Sequence, residues 1–137
     1  MSAVVALAVA GAVHLGFQAT VSVAVYPALV STRADDFAVV HAAHSRRITY
    51  LVVPVYGLLV LGGGWAVVAD TRPLVLAGVA AHGLALLTTA LVAAPTHGRL
   101  GTDGPTPDLL RRLVRSDMAR TTCAAVGLAL SLAAIAT

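Results

Sequence analysis

Three histidines have the spacing and neighbours needed for chemistry: His41, His44 and His97. His41 and His44 lie three residues apart, so on a helix they would share one face. Imidazole nitrogens can bind Zn²⁺, Cu²⁺ or non-haem iron, especially beside a carboxylate such as Asp117, and they can also act as general bases. The alternative is a structural network in which Asp117 pairs with Arg120. Both interpretations predict that these side chains meet at one place.

The other two histidines, His14 and His82, each lie about halfway along an apolar run. Gln18 follows His14 by one helical turn and shares its face. A pair of histidines at equal depth could be the axial ligands of a haem, or could bind a quinone. Any two mid-helix histidines would give the same spacing, however. The favoured interpretation is therefore that two neutral imidazoles hold neighbouring helices together.

Four long apolar runs must position these side chains. The chain of 137 residues is 58% hydrophobic and 11% charged, with a mean hydropathy of +0.89, whereas a soluble domain has about 25% charged residues. Each run reaches the ~20 residues with which a helix crosses a ~30 Å hydrocarbon core. We therefore predict an all-α fold, a single four-transmembrane-helix bundle over residues 1–137. The runs are Ala3–Val30, Ile48–Ala69, Pro73–Ala94 and Met118–Ala136.

The arginines are distributed unevenly over the gaps between these runs. All nine basic residues are arginine, and only Arg72 lies in the second gap. The positive-inside rule then predicts a multi-pass plasma-membrane protein with cytoplasmic first and third loops and both termini outside. Lys, Glu and Asn do not occur, which resembles the codon bias of a GC-rich bacterial genome. The lipid bilayer is the expected partner, and a basic pI of 9.8 does not indicate nucleic acid in such a protein.

The first and third gaps carry helix-start signals. Thr32 with Asp35 three residues later resembles a capping box, which predicts a second helix that begins near Ala34. Thr106–Asp108 combines a capping Thr with a Pro in the first turn. We therefore predict helical cytoplasmic extensions before helices two and four. The segment Gly98–Pro105, rich in Gly and Pro, is predicted as the one true loop.

Three stretches of the chain resemble a known family. They are Tyr26–Leu29, Ala94–Leu100 and Leu109–Thr121, and in this order they resemble the anthrone-oxygenase-like family of small four-span membrane proteins. In that family the end of helix three reads Pro-Thr-Asn-x-x-Leu, and the start of helix four reads Trp-x-x-x-Asn-x-x-Arg-Thr. Members with known activity oxidise polyketide anthrones without a recognised cofactor.

The resemblance implies one polar site at the cytoplasmic boundary of the bundle. His97 and Asp117 replace the two Asn of the family pattern, and Leu113 replaces the Trp. An imidazole and a carboxylate in place of two amides would add acid–base or metal-ligand capacity to the site. The residues that the resemblance brings together are Pro95, His97, Leu100, Asp117 and Arg120.

The first functional hypothesis is an oxygenase- or oxidoreductase-like membrane enzyme that acts on a hydrophobic small molecule. His97 or His44 would be the general base, and Asp117 would orient the imidazole. Arg120 would stabilise an enolate-like oxyanion. The residues expected to contact the substrate are Gln18, Tyr26, Arg47 and Pro95.

Two other hypotheses remain open. A metal- or haem-binding protein would use the set of His41, His44 and His97 or the pair of His14 and His82. A non-catalytic assembly protein, or a homo-oligomer, would use small residues such as Gly62–Gly64 for close helix contact. The sequence does not fix a cofactor: a reaction without one and a reaction at a transition metal are both compatible with these residues. The single Cys123 excludes an internal disulfide.

Overall fold

A computed structural model describes all residues 1–137 and contains four long helices and no strand. Helix α1 spans Ala3–Val30, α2 spans Ala34–Ala69, α3 spans Pro73–Asp103 and α4 spans Pro107–Ala136. Each is long and apolar enough to cross a membrane. The prediction of an all-α bundle of four membrane-spanning helices is therefore confirmed.

Helices α2 and α4 begin well before their apolar runs, as predicted. The Thr106 hydroxyl caps α4 by accepting a hydrogen bond from the Leu109 amide at 3.3 Å. The predicted Thr32 cap of α2 is wrong, because the Thr32 hydroxyl donates back to the carbonyl oxygen of Ala28 at the end of α1. Helix α2 instead places Asp35 and Asp36 in its first turn, where the positive end of the helix dipole favours carboxylates.

The predicted loop Gly98–Pro105 is also wrong, because α3 continues to Asp103. Leu100 is buried at 1% exposure in an apolar cluster with Phe37 and Leu109. That packing outweighs the poor helix propensity of the glycines, which is about 1 kcal/mol each. The turn is shortened to 104–106 and uses Gly104, whose φ of +79° lies in the left-handed region that favours glycine.

Helices α1 and α3 each contain one π-helical turn, at Val21–Val25 and at Thr89–Ala93. A proline, Pro27 or Pro95, follows each turn at the same distance. Proline has no N–H for the regular α-helical hydrogen bond, and such wide turns often occur at functional sites. Tyr26 follows the wide turn of α1 directly and is buried in the bundle.

The helices pack around the bundle in chain order, and the loosest boundary lies between α2 and α3. Helix α3 approaches α4 closely, where a Cβ added to Gly78 would lie 3.0 Å from the Ser131 hydroxyl. Helix α2 makes most of its contacts with α1. We call the end of the bundle that holds the α1–α2 and α3–α4 turns the Arg-rich end, because eight of the nine arginines lie toward it.

The opposite end is closed by an apolar cluster and by one ion pair. Arg72 donates to both carboxylate oxygens of Asp70 and to the Thr137 hydroxyl. These hydrogen bonds hold the pKa of the Asp70 carboxyl below its usual value. The cluster consists of Ala3, Val4, Leu7, Ala66, Val75 and Ala134. The chemistry-bearing side chains therefore lie between this apolar end and the Arg-rich end.

Candidate functional site

The site is built on a buried ion pair of α4. An Nη of Arg120 lies 3.0 Å from Oδ1 of Asp117, and the two side chains are 6% and 5% exposed. Ser22, from the π-helical turn of α1, donates to Oδ2 of Asp117 at 2.6 Å. Thr121 is hydrogen-bonded to the Ser22 hydroxyl at 3.0 Å. A charge pair so far from water requires such additional hydrogen bonds to offset its lost hydration.

Tyr26 links this ion pair to the histidines. Arg120 donates to the Tyr26 hydroxyl at 3.0 Å, and that hydroxyl lies 3.1 Å from Nε2 of His97. A guanidinium can only donate, so the Tyr26 oxygen accepts from Arg120 and its hydrogen is free to bond to His97. The remaining nitrogen of His97, Nδ1, lies 3.1 Å from Nε2 of His41. The hydrogen bonds can therefore all run in one direction, from Arg120 to His41.

The orientation of His97 differs from the sequence-based expectation. Asp117 was expected to orient the imidazole, but it contacts Arg120 and Ser22 instead. Tyr26 and His41 orient His97, and the rings of His41 and His97 stack with centroids 5.3 Å apart. The recurrence of polar residues every four positions along α1 could have indicated the role of Ser22, because such residues share a face.

A cavity of about 220 Å³ lies beside this network, between α1, α2 and α3. Thr49 and Ala94 of its rim are exposed and lie at the loose α2–α3 boundary, so the cavity opens sideways, toward lipid. Most of its wall is apolar. The lining residues are Phe17, Val21, Tyr26, His44, Ser45, Ile48, Thr49, Val52, Thr89, Ala93, Ala94, His97 and Arg120.

Three polar atoms of the cavity residues have no hydrogen-bond partner within the protein. They are Nε2 of His44, Oγ of Ser45 and Nε of Arg120, and all three are buried. Buried polar groups are normally hydrogen-bonded, and these three atoms belong to residues that line one cavity, which makes this cavity the candidate binding site. His44 contributes a potential base, Ser45 a hydroxyl, and Arg120 a cationic donor.

The structure places some of the predicted site residues elsewhere. Arg47 is exposed and borders a separate apolar groove on the outer face of α2. Pro95 is also exposed, and Gln18 is buried away from the cavity lining. The expected substrate contacts by Arg47, Pro95 and Gln18 are therefore not formed at this cavity. The predicted residues that do line it are Tyr26, His44, His97 and Arg120.

The predicted metal site of His41, His44 and His97 does not form. His41 and His97 use facing nitrogens to contact each other, and the His44 ring is tilted at 5.7 Å from that of His97. No group of three or more His, Cys, Asp or Glu side chains has an arrangement that could hold a metal ion. Hydrogen bonds engage both nitrogens of His97 and Nε2 of His41, so these nitrogens do not converge with His44 on one point.

The predicted haem ligation by His14 and His82 stays a prediction, and the structure shows how tightly His82 is packed. A Cβ added to Gly11 or Gly127 would lie 2.7 Å from the His82 ring, so α1 and α4 hold the ring between them. The His14 ring packs against it at 5.8 Å and against Tyr56 at 5.5 Å.

The structure supports one part of the favoured interpretation, in which two neutral histidines bond across the bundle and hold the helices together. The rings of His14 and His82 do pack across the bundle. Their four ring nitrogens, however, have no hydrogen-bond partner within the protein. The histidines therefore hold the helices together by packing against each other and against glycine.

Compared with known proteins, the chain matches no protein-family model, no curated protein and no solved structure. The fold and the site define a multi-pass membrane protein with a buried ion pair, a linked set of histidines and a laterally open apolar cavity. The functional argument therefore depends on the chemistry of these residues.

Proposed function

We propose that the chain is a membrane enzyme that acts on a hydrophobic small molecule with an acidic hydroxyl, or with an acidic C–H conjugated to a carbonyl group. The observation that carries this proposal is the cavity, whose mainly apolar lining includes three residues that each have an unpartnered buried polar atom. Ligand sites in proteins combine a mainly apolar lining with a few convergent polar groups in this way.

A lipid-dissolved substrate would enter between α2 and α3. Phe17, Ile48 and Val52 would contact its rings, and the side facing the bilayer would let a longer molecule extend into the lipid. Its oxygen would accept a hydrogen bond from Nε of Arg120. That interaction would orient the substrate, because the ion pair with Asp117 fixes the guanidinium.

His44 is the proposed general base. Both nitrogens of His97 are engaged, with Tyr26 and His41, whereas Nε2 of His44 has no partner within the protein. His44 would accept the substrate proton, and Arg120 would stabilise the resulting oxyanion in a site shielded from water. Tyr26 and His97 would act as positioning residues, because the Tyr26 hydroxyl contacts Arg120 and is itself held by His97.

The resemblance to the anthrone-oxygenase-like family favours O₂ as the oxidant. The deprotonated substrate would pass one electron to O₂, and the superoxide and substrate radical would combine to form a C–O bond. Protonation gives a hydroperoxide, which loses water to leave a new carbonyl group. The substrate thus gives up two hydrogens and gains one oxygen atom, and the second oxygen atom of O₂ leaves as water.

The distribution of the arginines along the chain supports an orientation of the protein across the membrane. Eight of nine arginines lie toward the turns α1–α2 and α3–α4, which favours a cytoplasmic position for both turns in a bacterial plasma membrane. Both termini would then lie outside. Substrate would approach the cavity from the cytoplasmic leaflet.

The test uses the full chain in lipid nanodiscs, with anthrone as the probe in aerobic buffer. Formation of anthraquinone and uptake of O₂ should exceed those of empty nanodiscs, and His44→Gln should lower the rate by about 10²-fold or more. Arg47→Gln is the control, because Arg47 lies outside the cavity. A rate equal to that of empty nanodiscs, or an unchanged rate in His44→Gln, would contradict the proposal.

A further inference from the structure

A second groove lies on the opposite side of α3 from the cavity, between α3 and α4. It encloses about 460 Å³, and its α4 wall carries Arg111, Arg112 and Arg115. Arg115 lies four positions after Arg111 and three after Arg112, so on the helix it shares a face with each of them. Three guanidinium groups along one wall repel each other unless an anion lies between them.

The protein itself supplies only one anion to this groove. Asp108 lines it but is already paired with Arg111. Arg112 and Arg115 are exposed, and neither guanidinium group forms an ion pair within the protein. The groove therefore has two cationic side chains with free donors, in the fork geometry that matches phosphate oxygens.

Away from its charged residues, the groove is lined by Thr88, Val92, Ser116 and Ala119. The Thr88 hydroxyl donates to the carbonyl oxygen of Leu84 in its own helix. The Ser116 hydroxyl likewise donates to the carbonyl oxygen of Leu113. Arg112 and Arg115 therefore carry the free donors of the groove. Val92 and Ala119 provide apolar surface next to them.

The position of the arginines along α4 matches the headgroup level of a bilayer. The apolar run of α4 begins at Met118, and Arg112 and Arg115 precede it by six and three residues, or ~9 and ~4.5 Å along the helix. The headgroup layer extends over a comparable distance outside the hydrocarbon core. Both guanidinium groups can therefore reach the phosphates, and their methylene stems can lie on apolar surface.

We infer that the α3–α4 groove is a binding site for an anionic phospholipid, whose phosphate is held by Arg112 and Arg115 and whose acyl chain lies along Val92 and Ala119. A soluble phosphate would use the arginines alone and would leave the apolar part uncovered. An amphipathic lipid matches both parts of the groove. This inference depends on the membrane location of the helices and not on the chemistry of the cavity.

Native mass spectrometry of the full chain in detergent tests the inference, with phosphatidylglycerol and phosphatidylcholine of identical acyl chains as probes. Phosphatidylglycerol should bind one-to-one and about tenfold more tightly than phosphatidylcholine. Arg112→Gln/Arg115→Gln should abolish this preference. Arg46→Gln/Arg47→Gln removes the same charge from exposed positions outside the groove and should retain it.

A third variant tests the apolar part without a change in charge. Ala119→Phe should fill the inner groove and weaken binding of phosphatidylglycerol severalfold, while glycerophosphoglycerol, the headgroup without chains, should bind weakly to every variant. Three results would overturn the inference. They are an unchanged preference in Arg112→Gln/Arg115→Gln, an equal loss in Arg46→Gln/Arg47→Gln, and headgroup binding as tight as that of the whole lipid.

Discussion

The hydroxyl of Tyr26 lies 3.1 Å from Nε2 of His97, and this contact joins a buried ion pair on α4 to the histidines of α2 and α3. The two residues come from helices that each contain a π-helical turn just before a proline. A single phenol thus connects elements that are distant in the sequence. Its removal should affect both stability and the histidine hydrogen bonds.

Tyr26→Phe should lower the free energy of unfolding by about 1–3 kcal/mol, because it leaves a donor of Arg120 and a nitrogen of His97 unpaired in a buried place. Unfolding in mixed detergent measures this change. Tyr50→Phe is the matched control, since Tyr50 is 80% exposed, and it should have almost no effect. Equal effects of the two substitutions would contradict the assignment.

The direction of the hydrogen bonds predicts the tautomer of His97. The neutral ring should carry its proton on Nδ1, which donates to His41, while Nε2 accepts from Tyr26. Solution or solid-state ¹⁵N NMR distinguishes protonated from unprotonated ring nitrogens. A neutral His97 with its proton on Nε2 would show that the bonds do not run from Arg120 to His41.

The ion pair of Asp117 and Arg120 should contribute far more to stability than an exposed pair. Asp117→Ala should cost about 3–5 kcal/mol, because it leaves the Arg120 charge buried and uncompensated. Asp108→Ala breaks the exposed pair with Arg111, where the cost should be at most about 1 kcal/mol. If both substitutions cost the same, the Asp117 pair is not buried as described.

Gly127 should be required because the His82 ring occupies the space of a side chain there. Gly127→Ala should destabilise the bundle by about 1–3 kcal/mol, since its Cβ would lie 2.7 Å from the ring. The double substitution Gly127→Ala/His82→Ala should recover part of this loss. Gly16→Ala, at a position with open space around it, should be neutral or stabilising, and a comparable loss there would refute this explanation.

The need for an open cavity can be tested without a change in charge. Val52→Trp should block the cavity that Val52 lines and should stop anthrone oxidation, while the hydrogen bonds of Tyr26 remain. Val53→Trp, at a neighbouring position that is 65% exposed, should have little effect. Full activity in Val52→Trp would place the reaction elsewhere.

The general architecture could be predicted from the sequence because lipid imposes it. Four runs of apolar residues suffice to predict four membrane-spanning helices, and the local sequence predicted the starts of α2 and α4 at Ala34 and Pro107. The end of α3 could not be predicted in this way. Burial of Leu100 against Phe37 stabilises a helix that the local Gly and Pro content disfavours.

The candidate site was only partly predictable. Helix periodicity placed Asp117 beside Arg120, since the two lie on one helix face. It could not show that Tyr26, rather than Asp117, orients His97, because that contact depends on how three helices meet. The π-helical turns were equally hidden, and they set the rotation of the residues that follow. Ligation of a metal or a haem by the histidines was inferred from residue type alone. The three-histidine metal arrangement does not form, and haem ligation stays a prediction.

The central claim is that the unpartnered polar atoms of the cavity bind an ionisable hydroxyl on a hydrophobic ring. The most direct measurement compares the affinities of 2-naphthol and 2-methoxynaphthalene for the full chain in nanodiscs. The two ligands share a ring system, but only the naphthol can donate a proton to His44. We expect the naphthol to bind about tenfold or more tightly, and we expect His44→Gln/Ser45→Ala to remove the difference. Equal affinities for the two ligands, or a preference that persists in the double variant, would contradict the account.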